Sequence, residues 1–503
     1  MELEVTKAVK KVLLVGEERI CRQVAYVLGF EDYELADKLT EENYAKYQGY
    51  KIYVCEFKRK SKSIVDKVLL KNKAINYLEN ICREIDKEHK ENRLRYEKKS
   101  AKKLSIKSMF YNFLRYCWHN LKAFRTMYYA RRFLYHKIKN DNKKFFQYLK
   151  ASELFLFVLK APLNENINCS MLETELLVSI DDIRGCCAVA VPFGSLLEDK
   201  TLYEIYDGTY ARIIKLSSIN HSFCLCNLSN RCKKYSGNPI KKDIKISCKS
   251  TRKNPTFVAL SIDPTCNLCC KSCRNQYYSM DEKTNKNINL VTNKLVDSKV
   301  LNEASSLMLA GVGEIFYSPY YRSLLDNNVK RKNIEILSNG ILFNEENWNW
   351  LKPKFEDICV TISVDAATEG IYKKLRGADF NQLMKNLEML ADLRRQGKIR
   401  KFNLNYVVQL DNFREMPEFV MLGKKLGVDM IEFQHMNNFG NLSKKQHQQR
   451  CLIIDDKYLD YELWQVLQDP IFKEPIVDLS GFNRYLIASA EKYQNFAKVE
   501  EVK

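Results

Sequence analysis

Between about residues 254 and 438 the chain alternates short apolar runs with amphipathic segments, and this alternation constrains the fold more than any other feature. The runs fall at 257–263, 306–311, 333–340, 359–365, 402–409 and 429–434. Between them lie segments with apolar residues at helical spacing, such as RSLLDNNVKR, FNQLMKNLEMLADLRRQG and MPEFVMLGKKLG. Strands joined through helices pair in parallel by right-handed crossovers, because a helix is long enough to return the chain to the same end of the sheet. Repeated units of this kind predict an α/β architecture closing towards a partial (β/α)6 barrel. Functional loops then follow the C-terminal ends of the strands.

The first of these strands runs into SIDPTCNLCCKSCRN. Asp263-Pro264 ends the strand, and Cys266, Cys270 and Cys273 follow with the spacing C-x3-C-x2-C. Three thiolates so close together can ligate one cubic iron–sulfur cluster and leave its fourth iron open, whereas most electron-transfer clusters take four cysteines. An open iron is what a chelating small molecule requires. Cys269 keeps other readings alive: C-x2-C-x3-C through Cys266, Cys269 and Cys273, or two abutting C-x2-C zinc knuckles, which normally need an intervening loop.

These residues resemble the radical S-adenosylmethionine superfamily, whose defining motif is C-x3-C-x2-C on the loop after the first barrel strand. The resemblance covers roughly 250–438 and implies a TIM-type partial barrel. Gly313-Glu314 matches the Gly-Gly-Glu element that contacts the methionine amino group, with Val312 in place of the first glycine and Gly311 able to share its role. LSNG, with Asn339, matches a recurrent segment after the third strand. ISVDA matches the fourth-strand segment, and the resemblance implies that Ser363 and Asp365 face the ribose and carboxylate. LRGADF matches an Arg-Gly stretch common in the branch that modifies peptides. Ser272 departs from the family, which usually has an aromatic residue there.

A second cysteine group precedes the core. Eleven of the 17 cysteines lie between Cys169 and Cys273. The stretch from Arg184 to Cys232 looks like the auxiliary-cluster domain called SPASM, or its short form, twitch. A cysteine precedes Gly194, a Leu202–Tyr206 helix follows, and Cys226 and Cys232 close the match. The resemblance implies Cys186, Cys187, Cys226 and Cys232 as ligands, with Cys224 as the substitute. A zinc site or free thiols are the alternatives. The domain normally follows the radical core; here it comes first. The six histidines add little, and His435 at the end of the last strand reads as a polar residue at the barrel mouth.

The first ninety residues read as a degenerate Rossmann-like module. KKVLLVG and KIYVCEF are strands, and ERICRQVAYVLG and residues 63–86 are amphipathic helices. The phosphate-binding fingerprint is missing, since Glu17 and Glu18 follow Gly16. No Gly or Pro occurs between Gly49 and Pro162, which favours long helices. Residues 91–150 carry 17 Lys and Arg against three acids, out of a net charge of +20 for the whole chain, interleaved with Phe, Tyr and Trp. Such an arm fits a helical linker, a nucleic-acid grip or an interfacial helix on anionic lipid.

The expected organisation is therefore 1–90 Rossmann-like, 91–160 basic helical arm, 161–250 auxiliary-cluster module, 251–440 radical core and 441–503 C-terminal extension. No run of 18 apolar residues and no export signal occur, so the expectation is a cytoplasmic protein without a transmembrane segment. The resemblance implies an enzyme that reductively cleaves S-adenosylmethionine at a [4Fe–4S] cluster, aided by an electron donor, and abstracts hydrogen from a peptide or glycan-type substrate. An RNA-modifying enzyme gripping RNA through 91–150, or a non-catalytic iron–sulfur scaffold on nucleic acid or membrane, are the rival readings.

Overall fold

The structure is a computed structural model. It describes residues 12–15, 18–28, 30, 32–36, 51–55, 75–77, 82, 85–86, 151–161, 163, 167, 169–189, 191–226, 254–309, 312–328, 333–438, 442–455 and 457–500. The basic arm expected at 91–150, Gly311 and Cys232 lie outside the described residues.

The strands, in chain order, form two main sheets. β1 (Val12–Val15), β2 (Glu34–Ala36), β3 (Lys51–Val54) and β4 (Ile75–Tyr77) make a parallel sheet of order β2-β1-β3-β4. The second sheet contains β5 (Glu175–Ser179), β6 (Ile183–Arg184), β7 (Phe257–Ser261), β8 (Ser306–Leu309), β9 (Asn333–Ser338), β10 (Asp357–Ser363), β11 (Lys401–Val408) and β12 (Met430–His435). β13 (Ile453–Ile454) and β14 (Tyr458–Leu459) form a separate hairpin, and β15 (Val477–Asp478) returns to the large sheet. That sheet has nine strands in the order β15-β12-β11-β10-β9-β8-β7-β5-β6, and every neighbour pair is parallel except β5–β6.

The six expected core strands form in sequence order, β7 to β12. One element of the N-terminal module differs from expectation. Residues 63–86 were expected as one amphipathic helix, but Ile75–Tyr77 pairs in register with Ile52–Val54 as β4. The apolar Ile75 and Tyr77 satisfy a period of two as readily as a helical one, and ladder pairing beside β3 decides between them. The sheet also crosses the expected module boundaries. β5, from the cysteine-rich segment 161–250, pairs along its whole length with β7, and β15 comes from the C-terminal extension.

Side chains of the large sheet sort by alternation. On β11, Phe402, Leu404, Tyr406 and Val408 are buried, and the Tyr406 ring packs on Phe419 of the helix Met416–Leu426 at 4.6 Å and on Phe433 at 5.3 Å. The intervening residues Asn403, Asn405 and Val407 face the other way. Across the register, Ser363, Asn405, Glu432 and Asp478 stand side by side on four neighbouring strands. One face of the sheet is thus sealed by helices, and the other carries a polar row.

Local signals place the helices. Asp281 caps the helix Glu282–Asp297 by accepting from Thr284 N at 2.7 Å, and Asp379 caps Phe380–Arg395 by accepting from Asn381 N and Gln382 N. Thr201 and Glu204 form a capping box at the start of the expected Leu202–Tyr206 helix.

The helix Thr209–Ile219 of the cysteine-rich segment buries a cation, Lys215. Its Nζ lies 3.4 Å from the centroid of the Tyr206 ring. Burial brings its pKa down to about 7, against about 10.5 for an ordinary lysine. A base with a depressed folded pKa leaves the unfolded chain binding more protons, so stability rises with pH between those two values. Lys215→Met, which keeps the apolar stem, is therefore expected to raise the melting temperature at pH 7. Its advantage over wild type should shrink as pH approaches 10, in melts of both proteins across that range.

Candidate functional site

The three motif cysteines sit on the loop that leaves the C-terminal end of β7. A glycine-dependent approach holds that loop. Gly313, in the loop after β8, packs directly on it. A Cβ at Gly313 would overlap the carbonyl oxygens of Asp263 and Thr265, while Glu314 N donates to Thr265 O at 2.9 Å. Gly340, after β9, has φ +80°, and a Cβ there would meet Ile362 and Leu383. The β7 loop itself turns through Asp263, whose Oδ1 accepts from Thr265 N and Oγ1 at 2.9 and 2.8 Å.

Two of the motif sulfurs have polar neighbours from other elements. Asn339 Nδ2 donates to Cys266 Sγ at 3.7 Å, and Leu268 N lies 3.4 Å from the same sulfur. Arg376, the last residue of the helix Glu369–Arg376, points Nη1 at Cys270 Sγ at 3.8 Å. Arg274, next to Cys273 in the chain, donates to Pro264 O at 3.0 Å and to Val312 O. The Cys269 thiol donates to the Arg274 carbonyl oxygen at 3.9 Å, as the Cys266 thiol does to Asn267 Oδ1 at the same distance. Burial raises the Cys266 thiol above its ordinary pKa and pushes Cys270 up to about 11, with Arg376 pulling Cys270 the other way.

The remaining expected site residues surround this loop. Glu314 is fully buried and its carboxyl is pushed up by burial. Its oxygens accept from Ser338 Oγ and Asn339 N, both at 2.7 Å, so it ties the β8 loop to the end of β9. Asp365, just past β10, is left-handed at φ +65° and buried. Its Oδ2 accepts from Arg376 Nη2 at 2.7 Å, and its Oδ1 accepts from Val407 N at 2.7 Å. Ser363 is half-buried at the end of β10. His435 ends β12 and packs edge-on against Phe482 and Tyr485.

The donor chemistry fits an iron–sulfur cluster. Cys266 and Cys270 each face an N–H donor from another element, the kind of contact that stabilises a thiolate. Among the described residues, no group of three or more His, Cys, Asp or Glu is already arranged as a metal cage. Nearby, Asn405 Oδ1, both ends of the Gln409 amide and Asp263 Oδ2 are buried without a hydrogen-bond partner. Buried polar atoms are normally paired, so these orphans fit a polar ligand beside the thiols.

In the cysteine-rich segment, Cys186 is buried and Cys187 exposed. Cys186 and Cys226 line one pocket, and Cys169 lines it with them. Val189 forms a bridge with Cys226 that brings the two stretches together. A hydrogen bond with Cys187, and burial, hold the Cys186 thiol well above its usual pKa. Cys169 was not among the four ligands expected from sequence. Its signal was only its position in the cysteine-dense part of the chain; its carbonyl oxygen accepts from Ser218 Oγ at 2.9 Å, which ties it to the helix Thr209–Ile219.

The C-x3-C-x2-C loop follows the first core strand, and the Gly-Glu, Asn and Ser/Asp segments lie at the ends of the next three, in the order that the resemblance to the radical S-adenosylmethionine superfamily implies. The chain is similar to the antilisterial bacteriocin subtilosin biosynthesis protein AlbA of Bacillus subtilis, 24% identical over 212 residues. The match covers 41% of this chain and 45% of AlbA, so the chain spans under half of that relative's length. Solved structures align over parts of the chain. Streptococcus suis SuiB bound to precursor peptide SuiA has a TM-score of 0.32 and 14% identity, covering 56% of this chain and 66% of that one. AnSMEcpe with bound AdoMet and Cp18Cys peptide has a TM-score of 0.28 and 22% identity, covering 38% and 54%. No protein-family model matches the chain.

Gly313→Ala tests the close approach on which the thiol loop depends. The added Cβ must displace the Asp263–Thr265 backbone, and overpacking of this kind costs about 1–3 kcal/mol. The expected result is a lower urea midpoint, together with reduced iron uptake on anaerobic reconstitution.

Proposed function

We propose that this chain is a radical S-adenosylmethionine enzyme acting on a peptide, with Cys266, Cys270 and Cys273 holding a [4Fe–4S] cluster. The observation that carries this reading is the meeting of the motif loop after β7 with N–H donors from two other elements. Asn339 from the end of β9 and Arg376 from the helix Glu369–Arg376 aim N–H groups at Cys266 and Cys270 of the C-x3-C-x2-C loop. Bound there, the cluster and S-adenosylmethionine would supply an electron and a 5′-deoxyadenosyl radical able to take hydrogen from substrate.

The protein's part is to position and to enclose. Gly313 and Glu314 fix the thiol loop against β8 and β9. Asn339 and Arg376 orient two of the sulfurs, and Ser363, Asn405 and Gln409 offer polar contacts to the bound cofactor on the concave face of a partial (β/α)6 barrel. Asp365 and Glu314, expected from the family resemblance to touch the cofactor, have their carboxylates engaged by Arg376, Val407, Ser338 and Asn339. We read both as supports for the residues that make contact. A peptide substrate is favoured by the Arg376-Gly377 segment and by similarity to a bacteriocin-biosynthesis protein.

For the second cysteine group we propose a ligand set containing Cys169, Cys186 and Cys226, with Cys232 able to supply a fourth and exposed Cys187 outside it. The shared pocket supports this set.

Anaerobic reconstitution, iron and sulfide counting, and assay for 5′-deoxyadenosine under strong reduction test the proposal. With both groups loaded, iron should approach about eight per chain, and the Cys266→Ala/Cys270→Ala/Cys273→Ala variant should keep about four. Cys169→Ala should lose the auxiliary iron, and Cys187→Ala should retain it. Absence of 5′-deoxyadenosine from a fully loaded wild type would sink the catalytic reading.

A further inference from the structure

Among the described residues that hydrogen-bond to a motif sulfur, Arg376 brings a buried ionic charge. Its side chain is 8% exposed and that of Asp365, its partner, 1%. The two are joined through Nε and Nη2 to Asp365 Oδ2 at 3.1 and 2.7 Å, while Nη1 is left to face Cys270 Sγ at 3.8 Å. Asp365 is fixed from behind. Its Oδ1 accepts from Val407 N at 2.7 Å, and its carbonyl oxygen accepts from Asn412 Nδ2 at 2.9 Å. The cysteine loop is pinned to the same helix by Lys271 N donating to Leu375 O at 2.9 Å. Neither charge can swing into solvent without breaking several of these bonds. By contrast, Cys266 receives a neutral amide from Asn339, and Arg274 beside Cys273 spends its guanidinium on two backbone carbonyls at the rim.

We infer that Arg376, oriented by Asp365, is a positioning residue that raises the reduction potential of the cluster ligated by Cys270; this rests on the cluster proposed above. A fixed cation with an N–H aimed at a ligating thiolate favours the state carrying one more negative charge. Cluster potentials respond to net charge, to hydrogen bonds to sulfur and to exposure, and charges act more strongly where water is excluded. Asp365 has a double part. It holds the guanidinium in line with the sulfur, and its own negative charge moderates the effect.

The two charges should therefore move the potential in opposite directions, which a merely structural pair would not do. The test is a dithionite titration of the anaerobically reconstituted full chain, read by electron paramagnetic resonance. The signal followed is the one that changes on adding S-adenosylmethionine. Arg376→Gln should lower the reduced-to-oxidised ratio at a fixed potential about tenfold, equivalent to ~59 mV for one electron. Arg376→Lys should recover part of that loss, and Asp365→Asn should raise the ratio above wild type. Equal potentials in all four proteins, or shifts of Arg376→Gln and Asp365→Asn in the same direction, overturn the inference while leaving the cluster reading intact. If Arg376→Gln does not fold, Asp365→Asn decides alone, and an unchanged or lowered ratio overturns the inference. A wild type that binds no iron overturns the cluster reading, and this inference with it.

Discussion

The buried ion pair between Asp365 and Arg376 is the constraint around which the site is organised. It joins the end of β10, the edge of β11 and the helix Glu369–Arg376 to the cysteine loop from β7. Removing one member of such a pair leaves an uncompensated charge at a cost of about 3–5 kcal/mol, whereas an exposed pair contributes about 1 kcal/mol or less. Exposed pairs elsewhere in the chain, such as Arg395 with Asp392, belong to the second kind. A chain that keeps the costly kind beside its thiols holds that geometry tightly. The left-handed φ of Asp365 adds local strain at the same point, and strain of that kind persists only where surrounding bonds enforce it.

A second brace acts from the opposite side. The loop after β8 lies on the thiol loop because Gly313 has no side chain, and buried Glu314 then locks that loop to Ser338 and Asn339. Asn339 in turn reaches Cys266. Sheet order makes this possible: β7, β8 and β9 are adjacent and parallel, so their C-terminal loops emerge side by side. The thiols are thus held between a carboxylate brace on one flank and an ion-pair brace on the other. The polar row on the open face of β10, β11 and β12 continues the same surface away from them.

Much of this was legible in the sequence, for identifiable reasons. The core strands announced themselves because each is a short apolar run bounded by helical periodicity, and β7 to β12 form where those runs lie. The cysteine loop was legible because spacing along one loop limits how far apart its thiols can lie. Less legible were features built from distant segments. Residues 75–77 satisfy both periods, and only pairing beside β3 makes them a strand. The pairing of β5 with β7 joins segments about eighty residues apart in sequence, and no local pattern encodes it.

Residue types along the chain therefore determined which atoms are available: three closely spaced thiols, a Gly-Glu pair, an Asn after β9, and an Asp and an Arg eleven positions apart. Tertiary structure decided what those atoms face. It turned Cys269 towards a carbonyl, drew Cys169 into the pocket with Cys186 and Cys226, and spent the carboxylates of Glu314 and Asp365 on the protein itself. The physical reason is that spacing fixes how near two side chains can be along one segment. Direction, burial and hydrogen-bond partners are set by the strands and helices that pack around them.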